Sequence, residues 1–119
     1  MKEFNKKEYN LLCAKFLGAE ITHPYPKNED QEGTLIYFPK EAVTLGLYRN
    51  YSIAGLQFDK DWNWIMEVVD KIEHTIRWVN IKGCLVDVSN EISVSKPTKK
   101  EATIHAVWEI LNKYYENNQ

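Results

Sequence analysis

The stretch from Leu56 to Glu73 constrains the fold more than any other part of the chain. It begins Leu56-Gln57-Phe58, an apolar alternation with the period of a short strand, and passes through Asp59-Lys60-Asp61 into a segment of helical period. Asp59 or Asp61 can cap that helix, because an Asp side chain accepts from free backbone N–H groups and complements the positive end of the dipole. Trp62, Ile65, Met66, Val69 and Ile72 then fall on one face as far as about His74. Trp64 and Val68 widen that face toward a flank, while Asn63, Glu67, Asp70 and Lys71 turn to water. The pattern predicts a strand feeding a capped helix, with Trp62 in the core and Trp64 at its edge.

Two more helices are marked by their ends. Asn5, with Glu8 three residues on, is a variant capping box, and Phe4 and Tyr9 occupy the positions of a hydrophobic staple. Tyr9, Leu12, Cys13, Phe16 and Leu17 repeat at helical spacing, and Gly18 is the left-handed residue that stops the helix. Thr98 and Glu101 form a Thr-x-x-Glu box ahead of Ile104, Val107, Trp108, Leu111 and Tyr115. Strands are expected at 19–23, 34–38, 76–81 and 84–88, the last two as a hairpin around Lys82-Gly83 with Val79, Ile81, Cys84, Val86 and Val88 inward and Arg77 and Asp87 toward the other face or its rim. Residues 24–33, with two Pro, a Gly and several acids, read as an exposed loop, and 40–55 follow neither period.

The order helix, strands, helix, hairpin, helix is α+β: three helices on one face of a small, mostly antiparallel sheet of about four or five strands. At 119 residues the chain is expected to form a single domain, residues 1–119, closing in a polar tail at 115–119. No apolar run approaches the roughly 20 residues that cross a bilayer, and no secretory leader is read, so the expectation is a cytoplasmic protein with reduced thiols. Cys13, on the apolar side of a helix, and Cys84, in a strand, read as small buried hydrophobes.

Charge narrows the functional classes. The net charge of -2 argues against nonspecific nucleic-acid binding, which needs a clustered cationic excess. Of the 15 Lys and Arg residues only Arg49 and Arg77 are arginines, the type suited to bidentate phosphate contacts. Lys2, Lys6 and Lys7, and Lys96, Lys99 and Lys100, coincide with helix starts and read as solvated faces. His23, His74 and His105 lack the spacing of a metal pair, so neither metal nor cofactor is expected. The carboxylates of the second helix match capping and surface roles, and Ser52 and Ser89 lack a nucleophile elbow, so no catalytic residue is assigned.

Two constellations remain. Tyr48, Arg49 and Tyr51 set two phenols around a guanidinium that can stack on a base or pair with a phosphate; the competing reading is an ordinary polar loop. Trp64 and Trp78 stand off the core stripes and are candidate interface anchors; the competing reading is a broad core. Four Trp and seven Tyr are more rings than a small core absorbs, which points to an interface, with a partner or with another copy of the chain in a homo-oligomer.

The segments Asp61 to Glu73, Leu11 to Gly18 and Ala106 to Tyr115 together resemble a family of small phage and prophage proteins of gut and related bacteria with no established activity. The resemblance covers most of the chain outside residues 24–55. It implies a small accessory phage protein acting on a host or defence component and carries over no site residue. The sequence reading is therefore a non-enzymatic protein-interaction module, with a binder of small nucleotide-like ligands at Tyr48, Arg49 and Tyr51 as the alternative.

Overall fold

The computed structural model of the chain describes residues 3–22, 35–38, 50–51, 55–76 and 78–117. Among the described residues, three helices and six short strands follow one another in the order α1 (Lys6–Phe16), β1 (Glu20–Thr22), β2 (Leu35–Tyr37), β3 (Asn50–Tyr51), α2 (Trp62–Thr75), β4 (Val79–Lys82), β5 (Leu85–Val88), β6 (Ile92–Ser95), α3 (Lys99–Asn117). The class is α+β. The strands form two antiparallel sheets, β1-β2-β3 and β4-β5-β6, where the sequence suggested one sheet of four or five strands.

The helix ends follow their local chemistry. Asn5 Oδ1 accepts the Glu8 N–H at 3.0 Å, and the Phe4 and Tyr9 rings meet at 5.6 Å. At the other end Gly18 has φ 91°, and the Gly18 and Ala19 N–H groups reach back to the Lys15 and Ala14 carbonyls, each at 3.0 Å. Those two bonds are a Schellman motif, and the left-handed backbone it requires is why a glycine stands there. Asp61, not Asp59, caps α2 through the Asn63 N–H at 2.8 Å, and Thr98 caps α3 through the Glu101 N–H at 3.1 Å. Helix α3 extends through Asn117, so part of the expected polar tail is helical, with the Tyr115 ring edge-on to Tyr114 at 5.3 Å.

Helix α3 is the centre of the packing. Ala102, Ile104, Ala106, Val107, Trp108, Ile110 and Leu111 are all buried, wider than a single stripe, because the helix packs against both other helices and against the β4–β6 sheet. On that sheet Val86, Val88, Ile92 and Val94 alternate inward, paired Val86 with Val94 and Val88 with Ile92. Strand β6 is absent from the sequence reading although Ile92-Ser93-Val94-Ser95 alternates. Cys84, expected inward, is exposed in the tight turn with Gly83, where its Sγ lies 3.4 Å from the Pro97 carbonyl. Trp62, expected in the core, is half-buried, with the Lys99 ammonium over its ring at 5.2 Å.

Leu56–Phe58 is not a strand. Both apolar side chains are buried, but the backbone polar groups of Phe58 are taken by α1: its N–H donates to Asn10 Oδ1 at 3.0 Å, and its carbonyl accepts from the Tyr9 hydroxyl at 2.8 Å. With those groups satisfied, the segment needs no strand neighbour. It turns at Lys60 and Asp61, whose N–H groups both reach the Gln57 carbonyl, and enters α2.

Candidate functional site

The pleat of the β4–β6 sheet sends alternate side chains away from α3. By register, Asn80, Asp87 and Ser93 make one row of that outer face, and Lys82, Leu85 and Ser95 make the next. Trp78 precedes β4 and continues the face, held opposite Ser89 by the Ser89 N–H donating to the Trp78 carbonyl at 3.0 Å. Its side chain is 49% exposed, the highest among the large apolar residues described, ahead of Tyr37 and Leu85.

Beside Trp78 lies an open groove of about 300 Å³, lined by Asp87, Ser89, Asn90, Glu91 and Ser93. The turn that forms its wall, Ser89 to Glu91, is tight: Ser89 takes a left-handed φ of 56°, and the Glu91 N–H donates to the Val88 carbonyl at 3.3 Å. A left-handed non-glycine residue is uncommon, and here it sits in the turn that joins β5 to β6. Glu91 also meets the Lys113 ammonium of α3 at 3.2 Å, an exposed pair that contributes little stability. The groove therefore presents one aromatic plane, two carboxylates, two hydroxyls and an amide.

The structure separates the two tryptophans proposed as anchors. Trp64 is half-buried, edge-on to Phe58 at 4.9 Å and to Phe38 at 6.5 Å, so its ring closes the core. Trp78 is the more exposed of the pair. Tyr48, Arg49 and Arg77 lie outside the described residues, as does the expected loop at 24–33; Tyr51 is the last residue of β3, opposite Ile36. The residues that sequence reasoning missed are Ser89, Asn90, Glu91 and Ser93, whose signal is the polar half of the β5 and β6 alternation and the turn between them.

A second cluster, beneath α1, is buried and joins polar groups of distant segments. Tyr9 and Cys13 are fully enclosed. Burial pushes the Tyr9 phenol well above its usual range, with the neighbouring Cys13 and Asp59 adding to the effect. Burial likewise raises the Cys13 thiol strongly, against a smaller lowering by the Tyr9 hydroxyl. A thiol held neutral in this way is a packing residue and not a nucleophile. Both folded values lie above the unfolded ones, so their stabilisation is complete below about pH 9 and is lost as the pH rises further. We expect a maleimide to modify Cys84 at once and Cys13 only on unfolding. The melting temperature should fall above pH 9, less steeply in Cys13→Ala; immediate double labelling by intact mass would contradict this burial.

The two described histidines, His74 and His105, have structural partners, and His23 lies outside the described residues. His105 stacks on Phe4 at 4.6 Å, its pKa lowered first by burial and then by Lys96, with Glu101 opposing. His74 Nδ1 lies 2.7 Å from the Asp70 carbonyl in the last turn of α2. Among the described residues no three His, Cys, Asp or Glu side chains gather as a metal set, and no helix is long and apolar enough to cross a membrane. Comparison with known proteins finds no matching family model, no matching curated protein and no matching solved structure.

Proposed function

We propose that this chain is a non-enzymatic protein-interaction module and that its contact surface is the outer face of the β4–β6 sheet, centred on Trp78. The observation that carries the reading is Trp78 itself: a tryptophan with half its surface in water, its backbone bonded to Ser89 of a tight turn and its side chain lining a groove. Trp is the residue type most enriched where a few side chains dominate an interface. Covering the exposed half of the ring contributes about 2 kcal/mol at the usual area coefficient. The resemblance to phage and prophage proteins directs the search toward host and phage proteins, and self-assembly through the same face is the other use such a surface supports.

The two tryptophans provide the test. Trp78→Ala should keep the melting temperature within about 2 °C, since half of the residue is already solvated, and lose at least tenfold in partner capture from host lysate or in self-association by sedimentation. Trp64→Ala should do the reverse, lowering stability by about 2–3 kcal/mol through the lost contacts with Phe58 and Phe38. If Trp78→Ala retained every captured protein and the same oligomeric state, the assignment of this face would be wrong.

A further inference from the structure

We infer that the groove beside Trp78 receives the cationic side chain of an extended Lys- or Arg-bearing segment of a partner protein, an inference that rests on the reading of this face as a contact surface. Among the described residues the charged groups lining the groove are Asp87 and Glu91, and none of those that line it is a Lys, Arg or His. Glu91 shares an oxygen with Lys113 at 3.2 Å, while Asp87 has neither an ion pair nor a hydrogen bond among the described residues. A carboxylate in the centre of the sheet, between Asn80 and Ser93, is thus positioned to meet an incoming cation.

The aromatic wall fits the same ligand. An ammonium or guanidinium near the face of a Trp is attracted by the ring quadrupole, and Arg also stacks on it. The chain uses this chemistry within its own fold: the Lys99 ammonium sits 5.2 Å from the Trp62 ring centre, and the Lys71 ammonium lies at the same distance from that of Phe16. Ser89, Asn90 and Ser93 add hydroxyl and amide groups on the two sides of the groove, suited to the backbone of a segment laid across the sheet. A nucleic acid is disfavoured, because its phosphates would face two carboxylates.

The test uses the full chain and fluorescein-labelled peptides of neutral, Gly- and Ser-rich sequence carrying one central Arg or Lys, matched with citrulline and Glu versions. Anisotropy, with NMR shifts of the Trp78 indole N–H to locate the contact, should rank Arg and Lys above citrulline by about three- to fivefold and place Glu last. Asp87→Asn should erase the preference for charge, and Trp78→Ala should weaken the Arg peptide about tenfold, with circular dichroism and melting unchanged in both. Raising the salt concentration should weaken wild-type binding more than Asp87→Asn binding. Equal binding of Arg, citrulline and Glu peptides, or a charge preference that survives Asp87→Asn, would overturn the inference. Loss of lysate capture in Trp78→Ala without any charge preference would leave the contact surface standing and the cationic occupant refuted. Trp78-dependent dimerisation that excludes the peptides would assign the groove to a second copy of the chain and would refute the inference too.

Discussion

Replacing Phe58 by Ala should destabilise the protein by about 3–5 kcal/mol, the range for removing a fully buried ring. Phe58 has no exposed surface, packs edge-on against Trp64 at 4.9 Å and lies 6.2 Å from Phe38. It links the β1–β3 sheet, through Phe38, to α2 and α1. The surroundings have little freedom to close the gap, because the Phe58 backbone is held on both sides by Asn10 and Tyr9. A domain of this size has a total stability of only about 5–15 kcal/mol, so a large part of it would be lost. In urea the midpoint should fall by roughly 2 M with an unchanged slope. Phe58→Leu, which keeps most of the volume, should lose less than half as much. A drop below about 1 kcal/mol for Phe58→Ala would mean that the site collapses or was never tightly packed.

This residue also shows where sequence reasoning meets its limit. Helix boundaries were legible because their determinants lie within a turn: Asn5 with Glu8, Asp61 with Asn63, Thr98 with Glu101, and Gly18 with Lys15 and Ala14. The Leu56–Phe58 segment shows the same alternation as a strand, but its backbone partners stand 48 and 49 residues earlier, on α1, and no local pattern announces them. Cys84 likewise alternates in phase with Val86 and Val88 yet falls in the Gly83 turn, since the ladder closes at Lys82 and Leu85. Strand β6 does carry its own signal, but at four residues between two turns it is at the short end of what alternation can distinguish.

The site was legible only in part, for a related reason. Trp78 stands out from sequence as a ring off the core stripes, and Asp87 as a carboxylate in a strand whose neighbours point inward. That they share a face with Ser93 depends on the register of three strands, and the groove depends on Ser89 turning left-handed. Neither property is encoded by spacing alone. Trp64 and Trp78 are both offered by the sequence as anchors; the Phe58 ring, fixed in place by α1, is what holds Trp64 against the core.

The second large effect is expected at Asn10, a polar residue buried on α1. Its side-chain oxygen accepts the Phe58 N–H at 3.0 Å, and its amide donates to Asp59 Oδ1 at 3.1 Å and to the Lys6 carbonyl at 3.2 Å. Asn10→Leu keeps the volume and removes all three bonds. The Phe58 N–H is left buried without an acceptor, at a cost of about 1–3 kcal/mol. Asp59, whose side chain is 8% exposed, loses a donor and retains Lys6 at 3.3 Å, adding about 1 kcal/mol for an incompletely satisfied carboxylate. The sum, about 2–4 kcal/mol, should appear in urea unfolding. Asn10→Asp should be at least as damaging, because a carboxylate cannot donate to Asp59 and repels it. The Asn10 and Asp59 deletions should couple by more than about 0.5 kcal/mol in a double-mutant cycle, since each removes a bond the other makes. Additive losses would mean that the two residues act separately and that the 58–60 turn is held by Tyr9 and the core rings, in which case Tyr9→Phe becomes the more damaging change.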